Sequence, residues 1–311
     1  MKTAALTTPS PASRGACAMA DSSNKAHGLL SVGSPVLLIG GSGMLGRAWR
    51  ELLGKASIEF AAPSHADLDI SDPASIESHI TGKHPVVINC SAWTDVDGAE
   101  TNPQGAKALN GDAVALLATR CGRVGATLVH YSTDYVFNGH GSAPYPTDTP
   151  IEPINVYGST KAMGELALQR SGCRYLLIRT SWLYAPWSKN FVRTIANACK
   201  QKPSLKVVSD QSGRPTSSEH LADLTLRLLQ RGATGIYHGS DGGQCTWFDF
   251  ASEIARIINP ACIIEPCATS DFPRPARRPA YSVFDLSKTE NELGPMPDWR
   301  TNLQSVLSRL E

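Results

Sequence analysis

Tyr157 and Lys161 stand four residues apart in Tyr157-Gly158-Ser159-Thr160-Lys161. On a helix this spacing puts a phenol and an ammonium on one face. A cation about 4 Å from the phenol, at an effective dielectric near 20, contributes about 4 kcal/mol, enough to bring a tyrosine from about 10 to about 7. Such a tyrosine exchanges protons at neutral pH. A tyrosine and a lysine also fall at this spacing by chance, so the pair has meaning only through its surroundings. The run Tyr131-Ser132-Thr133-Asp134-Tyr135-Val136-Phe137-Asn138-Gly139 leaves an apolar stretch upstream. A hydroxyl at a strand end can hydrogen-bond a substrate carbonyl. The alternative for Ser132 and Thr133 is a turn cap.

Those residues need a scaffold, and its centre is Val36-Leu37-Leu38-Ile39-Gly40-Gly41-Ser42-Gly43-Met44-Leu45-Gly46. Four apolar residues run into glycines at 40, 43 and 46, and helical apolar spacing follows, so the stretch reads as strand, tight turn, helix. Glycine is needed to turn sharply, to let backbone approach a pyrophosphate, and to pack helix on strand. The helix then points unpaired N–H groups and its positive end at the phosphates.

Further strands are expected at Ile58–Ala62, Pro85–Cys90, Thr127–Ser132 and Tyr175–Ser181, with helices starting at Asp72-Pro73, running from Pro103 to Val124, and spanning residues 156–171. Apolar strands alternating with helices predict an α/β fold with a doubly wound parallel sheet of Rossmann type. In such a sheet chemistry sits at the carboxyl ends of the strands, where the Thr133 run and the helix of Tyr157 fall. Beyond residue 182 short helices at Asn190–Lys200, Glu219–Gln230, Thr246–Ile258 and Asp298–Leu310 alternate with loops at Ser209–Ser218 and Pro266–Pro279. The division expected is a tail over 1–34, a dinucleotide-binding domain over 35–181, and a smaller C-terminal part over 182–311 that is mainly substrate-binding lobe.

The 311-residue chain carries a formal charge of +1. That balance gathers neither nucleic acid nor an anionic membrane, and no apolar run reaches membrane-spanning length. The partner expected is a small molecule. The eight cysteines form no CxxC pair and no Cys/His ligand spacing, and several lie in apolar runs, so buried free thiols in a reducing compartment are expected. The Ala/Ser/Thr/Pro-rich first 34 residues lack a continuous apolar core before Ala18-Met19-Ala20, which favours a cytoplasmic address over secretion and leaves Met19 as an alternative start.

Taken together, the glycine turn, Ser132-Thr133-Asp134-Tyr135-Val136-Phe137 and Tyr157-x-x-x-Lys161 resemble the extended short-chain dehydrogenase/reductases. Within them the chain is similar to the dTDP-4-dehydrorhamnose reductases, on the blocks 89–100, 130–139, Asn155-Val156-Tyr157-Gly158, Arg179-Thr180-Ser181-Trp182-Leu183-Tyr184, 210–216, and Arg278-Pro279 with Ser282 and Asp285 ahead of Trp299. The resemblance covers roughly residues 35 to 311. It implies hydride transfer from a reduced nicotinamide to the C4 ketone of a dTDP-linked 6-deoxyhexulose, giving dTDP-L-rhamnose. It makes Tyr157 the proton donor, Lys161 the group that lowers its pKa and holds the nicotinamide ribose, and Thr133 the residue that orients the carbonyl. The cofactor set it implies is Gly40, Ser42, Gly43, Met44, Leu45, Gly46, Asp69, Ile70, Ala92, Trp93, Thr94, Tyr131, Tyr157 and Lys161. The substrate set is Thr133, Asp134, Tyr135 and Trp182, with Asp210, Gln211 and Arg278 as further candidates or as loop-packing residues. Trp93 stands where smaller or imidazole side chains are familiar in the family.

An acidic residue after the second strand would bind the ribose 2′-hydroxyl and repel a 2′-phosphate. This chain has Ala61-Ala62-Pro63-Ser64-His65 there. No carboxylate blocks NADPH and no arginine strongly favours it, so NADPH is expected, with NADH tolerated. Part of the family carries Mg²⁺ between subunits on glutamates, so Mg²⁺ stays open as a cofactor, with no metal ligand assigned in this sequence. Monomer and homodimer both stay open. Two other functions share the scaffold. One is a non-catalytic regulatory subunit of methionine adenosyltransferase type, against which Thr133, Tyr157 and Lys161 together argue. The other is a ketoreductase or epimerase acting on another nucleotide sugar.

Overall fold

The computed structural model describes Met1 and residues 34–310. Apart from Met1 and Ser34 themselves, the expected tail, Met19 and Cys17 lie outside the described residues. β1 (Val36–Ile39), β2 (Phe60–Ala61), β3 (Val86–Asn89), β4 (Thr127–Thr133), β5 (Tyr175–Thr180) and the strand Gly235–His238 form one parallel sheet. Their order is Gly235–His238, β5, β4, β3, β1, β2. From β1 the chain goes to one side for β2 and crosses to the other for β3. A crevice therefore opens at the carboxyl ends of β1 and β3, where such sheets bind ligands. Ile39, Asn89 and His130 are in register across three strands, so their ends converge on it.

The strands read as continuous apolar runs because both sheet faces are covered. On one face Leu38, Ile88 and Val129 pack with Trp49 and Leu53 of α1 (Met44–Lys55) and with Leu221. On the other, Leu37, Val87 and Leu128 pack with Ile76 of α2 (Pro73–His79), Leu117 and Leu168. The remaining helices are α3 (Val96–Thr101), α4 (Pro103–Lys107), α5 (Ala113–Val124), α6 (Val156–Arg170), α7 (Phe191–Gln201), α8 (Ser218–Gln230), α9 (Trp247–Ile258), α10 (Ser287–Leu293) and α11 (Trp299–Leu307). The start read at Asp72-Pro73 is realised: the Asp72 carboxylate accepts from the N–H groups of Ala74 and Ser75.

Three sequence expectations are corrected. β2 is shorter than Ile58–Ala62, because the Ile58 N–H is spent on the Leu53 carbonyl at the end of α1 rather than on a neighbouring strand. The long helix from Pro103 to Val124 forms, yet it is interrupted by a π turn at Ala108–Asp112. The sheet also does not end at residue 181. Gly235–His238 pairs with β5 and α8 packs on α1, so the second half of the chain returns to the main sheet.

The smaller lobe has its own core, where Tyr184, Val192, Phe250, Ile254, Trp299 and Leu303 pack together. Short strands brace it: Ser204–Val208 with Ile263–Cys267, Ser212–Gly213 with Cys245–Thr246, and Leu183–Tyr184 with Thr216–Ser217. The seven described cysteines carry free thiols. Among the described residues no helix is long and apolar enough to cross a membrane.

Candidate active site

The glycine turn has the shape a pyrophosphate cradle requires. Gly40 has φ +76°, the left-handed region that glycine adopts freely. A Cβ on Gly46 would lie 2.1 Å from the Gly40 carbonyl oxygen, so any other residue would push α1 off the turn. Gly43 caps α1 without a side-chain hydrogen bond, and no acidic residue occupies the first turn. The N–H groups of Met44, Leu45 and Gly46 thus begin a helix whose positive end faces the crevice. The residues present fit a dinucleotide.

Across the crevice, the stretch after β3 is clamped from the π turn. Asn110, which is buried, accepts the Trp93 N–H at 2.9 Å and donates to the Trp93 carbonyl at 3.1 Å and to Thr160 Oγ1 at 3.2 Å. One amide thereby ties Ala92, Trp93 and Thr94 to α6. The Trp93 indole turns back to donate to the Asp95 carbonyl. Beyond β2, the Asp69 carboxylate accepts from Ser71 hydroxyl and N–H, which hold it below the usual carboxylate range, while Ile70 is buried.

α6 is placed by its start. Asn155 accepts from Gly158 N–H, and the Glu100 carboxylate accepts from Val156 N–H. A Cβ on Gly158 would lie 2.1 Å from the Tyr135 carbonyl oxygen, so this glycine lets the helix touch the turn after β4. Tyr157 and Thr133 consequently meet, the Thr133 hydroxyl lying within hydrogen-bonding reach of the phenol. Thr133 also donates to Asp134 Oδ1 at 2.9 Å and accepts from Tyr135 N–H. The Tyr135 ring meets the Tyr157 ring edge-on at 5.6 Å. Burial pushes the Asp134 carboxyl up to about 6, against the hydroxyl of Thr133 that donates to it. Arg278 reaches in from the C-terminal lobe, donating to the Tyr135 hydroxyl at 3.2 Å and to Asp97 at 2.8 Å.

Lys161 corrects the expected electrostatics. Its ammonium does not pull the Tyr157 phenol toward neutrality. Burial drives that phenol well above its ordinary value, Thr133 opposes the rise, and Asp134 and Tyr135 add to it. The Lys161 Nζ instead donates to the Tyr131 carbonyl at 2.6 Å and lies 3.5 Å from His130 Nε2. The hydrogen-bond network assigns the imidazole tautomer. Ser91 N–H and hydroxyl both donate to Asn89 Oδ1, which leaves the Asn89 amide N–H groups facing His130 Nδ1 at 3.2 Å. The ring proton is then on Nε2, aimed at the lysine nitrogen. Burial, followed by the Lys161 charge, holds His130 well below its ordinary value, so the ring is neutral. Burial also lowers Lys161 to about 8, against the attraction of Glu165 one turn along. Glu165 is itself fully buried and held by Arg179 through Nε and Nη2, at 3.1 and 2.7 Å.

Two expected site residues lie elsewhere. The Tyr131 phenol is spent in the core, accepting from Trp49 Nε1 at 2.8 Å, so only its carbonyl faces the crevice. The Trp182 ring stacks on Trp247 with centroids 3.6 Å apart, and Gly213 closes against it, instead of joining the Tyr135–Tyr157 pair. Its φ of +49° is strained for an aromatic residue. Asp210 and Gln211 both engage Thr269, so they bind loop to loop, whereas Arg278 does face the site. Asn110, His130, Glu165 and Arg179 were not singled out as site residues by sequence reasoning. The Asn-Gly pair at 110 and 111 is a helix-disfavouring step inside a helical run, and it marked the first of them. Among the described residues no group of three or more His, Cys, Asp or Glu is placed to hold a metal ion.

The arrangement can protonate an oxygen held between a phenol and a hydroxyl, beside a dinucleotide cradle. Residues 34–311 match the family described as RmlD substrate binding domain. A dTDP-4-dehydrorhamnose reductase of Burkholderia thailandensis is 38% identical over 285 residues, 85% of this chain and 95% of the relative. Its counterpart from Streptomyces griseus is 40% identical over 280 residues, 86% and 91% of the two chains. The crystal structure of the Bacillus anthracis dTDP-4-dehydrorhamnose reductase in complex with NADP superposes with a TM-score of 0.85 at 32% identity, over 89% of this chain and 99% of that one. With its cradle, its hydroxyl pair and these relatives, the chain belongs to the dTDP-4-dehydrorhamnose reductase family.

Proposed function

We propose that the chain reduces the C4 ketone of dTDP-4-dehydro-6-deoxy-L-mannose with NADPH to give dTDP-L-rhamnose, the last step of dTDP-rhamnose biosynthesis, in the cytoplasm. The observation that carries the reading is the convergence of Thr133, Tyr157 and Lys161 at the carboxyl end of β4, across the crevice from the glycine turn. The Gly40–Gly46 turn and the start of α1 would hold the pyrophosphate, Asp69 and Ile70 would border the adenine, and Ala92 to Thr94 would line the nicotinamide side. When bound, the reduced nicotinamide supplies a hydride to C4.

With substrate bound, the Thr133 hydroxyl would turn its one proton from Asp134 to the ketone oxygen, and Tyr157 gives its proton to that oxygen as negative charge develops. Reduction needs a donor that starts protonated, and a buried phenol is protonated at neutral pH. Lys161, held by the Tyr131 carbonyl, keeps its positive charge on the cofactor side, where it would hold the nicotinamide ribose. Tyr135, fixed by Arg278, and Asp134 form the wall for the sugar. NADPH oxidation by the full chain with dTDP-6-deoxy-L-lyxo-4-hexulose tests the reading. The Tyr157→Phe variant is expected to lose about 10²–10⁴-fold in turnover with NADPH binding intact. Tight cofactor binding without turnover in the unaltered chain refutes it, in favour of a regulatory subunit or another sugar nucleotide.

A further inference from the structure

We propose that Arg50, with Ser42 and Arg47, forms the seat of the NADPH 2′-phosphate, an inference that rests on the NADPH-dependent reading above. A groove of about 280 Å³ opens against the glycine turn and is lined by Gly41, Ser42, Arg47, Arg50 and Glu51. It lies where the end of β2 meets the turn. A Cβ built on Gly41 would lie 3.2 Å from the Ala62 Cβ and 3.5 Å from Arg50 Cδ. The residue after β2 is the position from which a carboxylate would take the ribose 2′-hydroxyl. Ala62 leaves that position apolar, and the Arg50 side chain extends to the same spot.

Arg50 can do so because side chains on a helix lean toward its amino terminus, here back up α1 toward the turn. An arginine serving this end of the ribose therefore comes from a different element than the strand where the sequence pattern looks for it. Arg47 is fixed beside it: its Nε donates to Glu51 Oε1 at 3.2 Å, and its guanidinium lies 4.4 Å from the Trp187 ring centroid. Trp187 is in turn anchored by donating to the Met44 carbonyl. Arg50 brings a second guanidinium to the same groove. Ser42, exposed at the turn, adds a hydroxyl donor. A phosphate dianion gains from this set, whereas a bare 2′-hydroxyl gains little.

Calorimetric titration of the full chain with 2′,5′-ADP and with 5′-AMP separates the seat from the catalytic reading, because neither probe can be turned over. The unaltered chain is expected to bind 2′,5′-ADP about tenfold or more tighter than 5′-AMP. Arg50→Ala is expected to reduce that preference about tenfold, and Arg50→Glu to reverse it. An undiminished preference in both variants overturns the seat while NADPH use stands. No preference in the unaltered chain overturns the NADPH reading and the seat with it.

Discussion

Replacing Lys161 by Met is expected to make the protein more stable while destroying its catalysis. Burial moves the Lys161 ammonium from an ordinary 10.5 down to about 8. Holding it charged at pH 7 therefore costs about 3 kcal/mol. The charges around it explain why nothing cancels this. Glu165 on the same helix is already neutralised by Arg179 from β5, His130 from β4 is neutral, Tyr157 is a protonated phenol, and β4 offers only the Tyr131 carbonyl. The buried set thus carries one excess positive charge, which methionine removes at nearly the same length. Its removal leaves the Tyr131 carbonyl without its donor, at about 1–2 kcal/mol. The net gain is about 1–2 kcal/mol at pH 7. Because the folded pKa lies below the unfolded one, the unfolded chain binds more protons between pH 8 and 10.5, and the unaltered protein gains stability as pH rises through that window. The advantage of Lys161→Met should shrink by about 2 kcal/mol between pH 7 and about pH 9.5. Urea unfolding followed by tryptophan fluorescence at both pH values measures it. A variant less stable at pH 7, or an advantage unchanged by pH, refutes the reasoning.

Two other substitutions follow from the same site. Gly158→Ala places a Cβ 2.1 Å from the Tyr135 carbonyl oxygen and 3.1 Å from Pro153 Cβ, so α6 must withdraw; about 1–3 kcal/mol of stability is lost in a thermal melt, and turnover falls as Tyr157 parts from Thr133. Asp134→Asn removes a carboxyl that burial raises from 3.8 to about 6. A raised carboxyl favours the folded state below its unfolded pKa and loses that contribution as pH climbs through its folded one, so the variant should be more stable by about 2–3 kcal/mol at pH 8, with the difference gone below pH 4 in the same melts.

What the sequence made legible was whatever local pattern alone decides. A strand buried on both faces shows no alternation, so β1 and β3 announced themselves as almost wholly apolar runs that a covered parallel sheet uses, and β4 and β5 by their shorter apolar centres. The turn at Gly40–Gly46 was equally plain, because its close approaches exclude a Cβ. Spacing on a helix correctly put Tyr157 and Lys161 on one face, but it could not say where the ammonium points. That choice belongs to the Tyr131 carbonyl and to His130, residues of a neighbouring strand 30 and 31 positions away, and it reversed the expected direction of the phenol pKa. Tyr131 shows the complementary error: its place in a site-bearing run suggested a cofactor contact, while strand alternation turned its ring to Trp49. Asn110 could not be weighed at all without knowing that the π turn and the stretch after β3 meet 17 residues apart. Each miss is a contact between elements, and each fixes an electrostatic or positional property of residues the sequence had already brought into view. The type of chemistry is therefore written in motifs, whereas the protonation states that run it are set by packing, which is why the Lys161 measurement tests the site more sharply than loss of activity does.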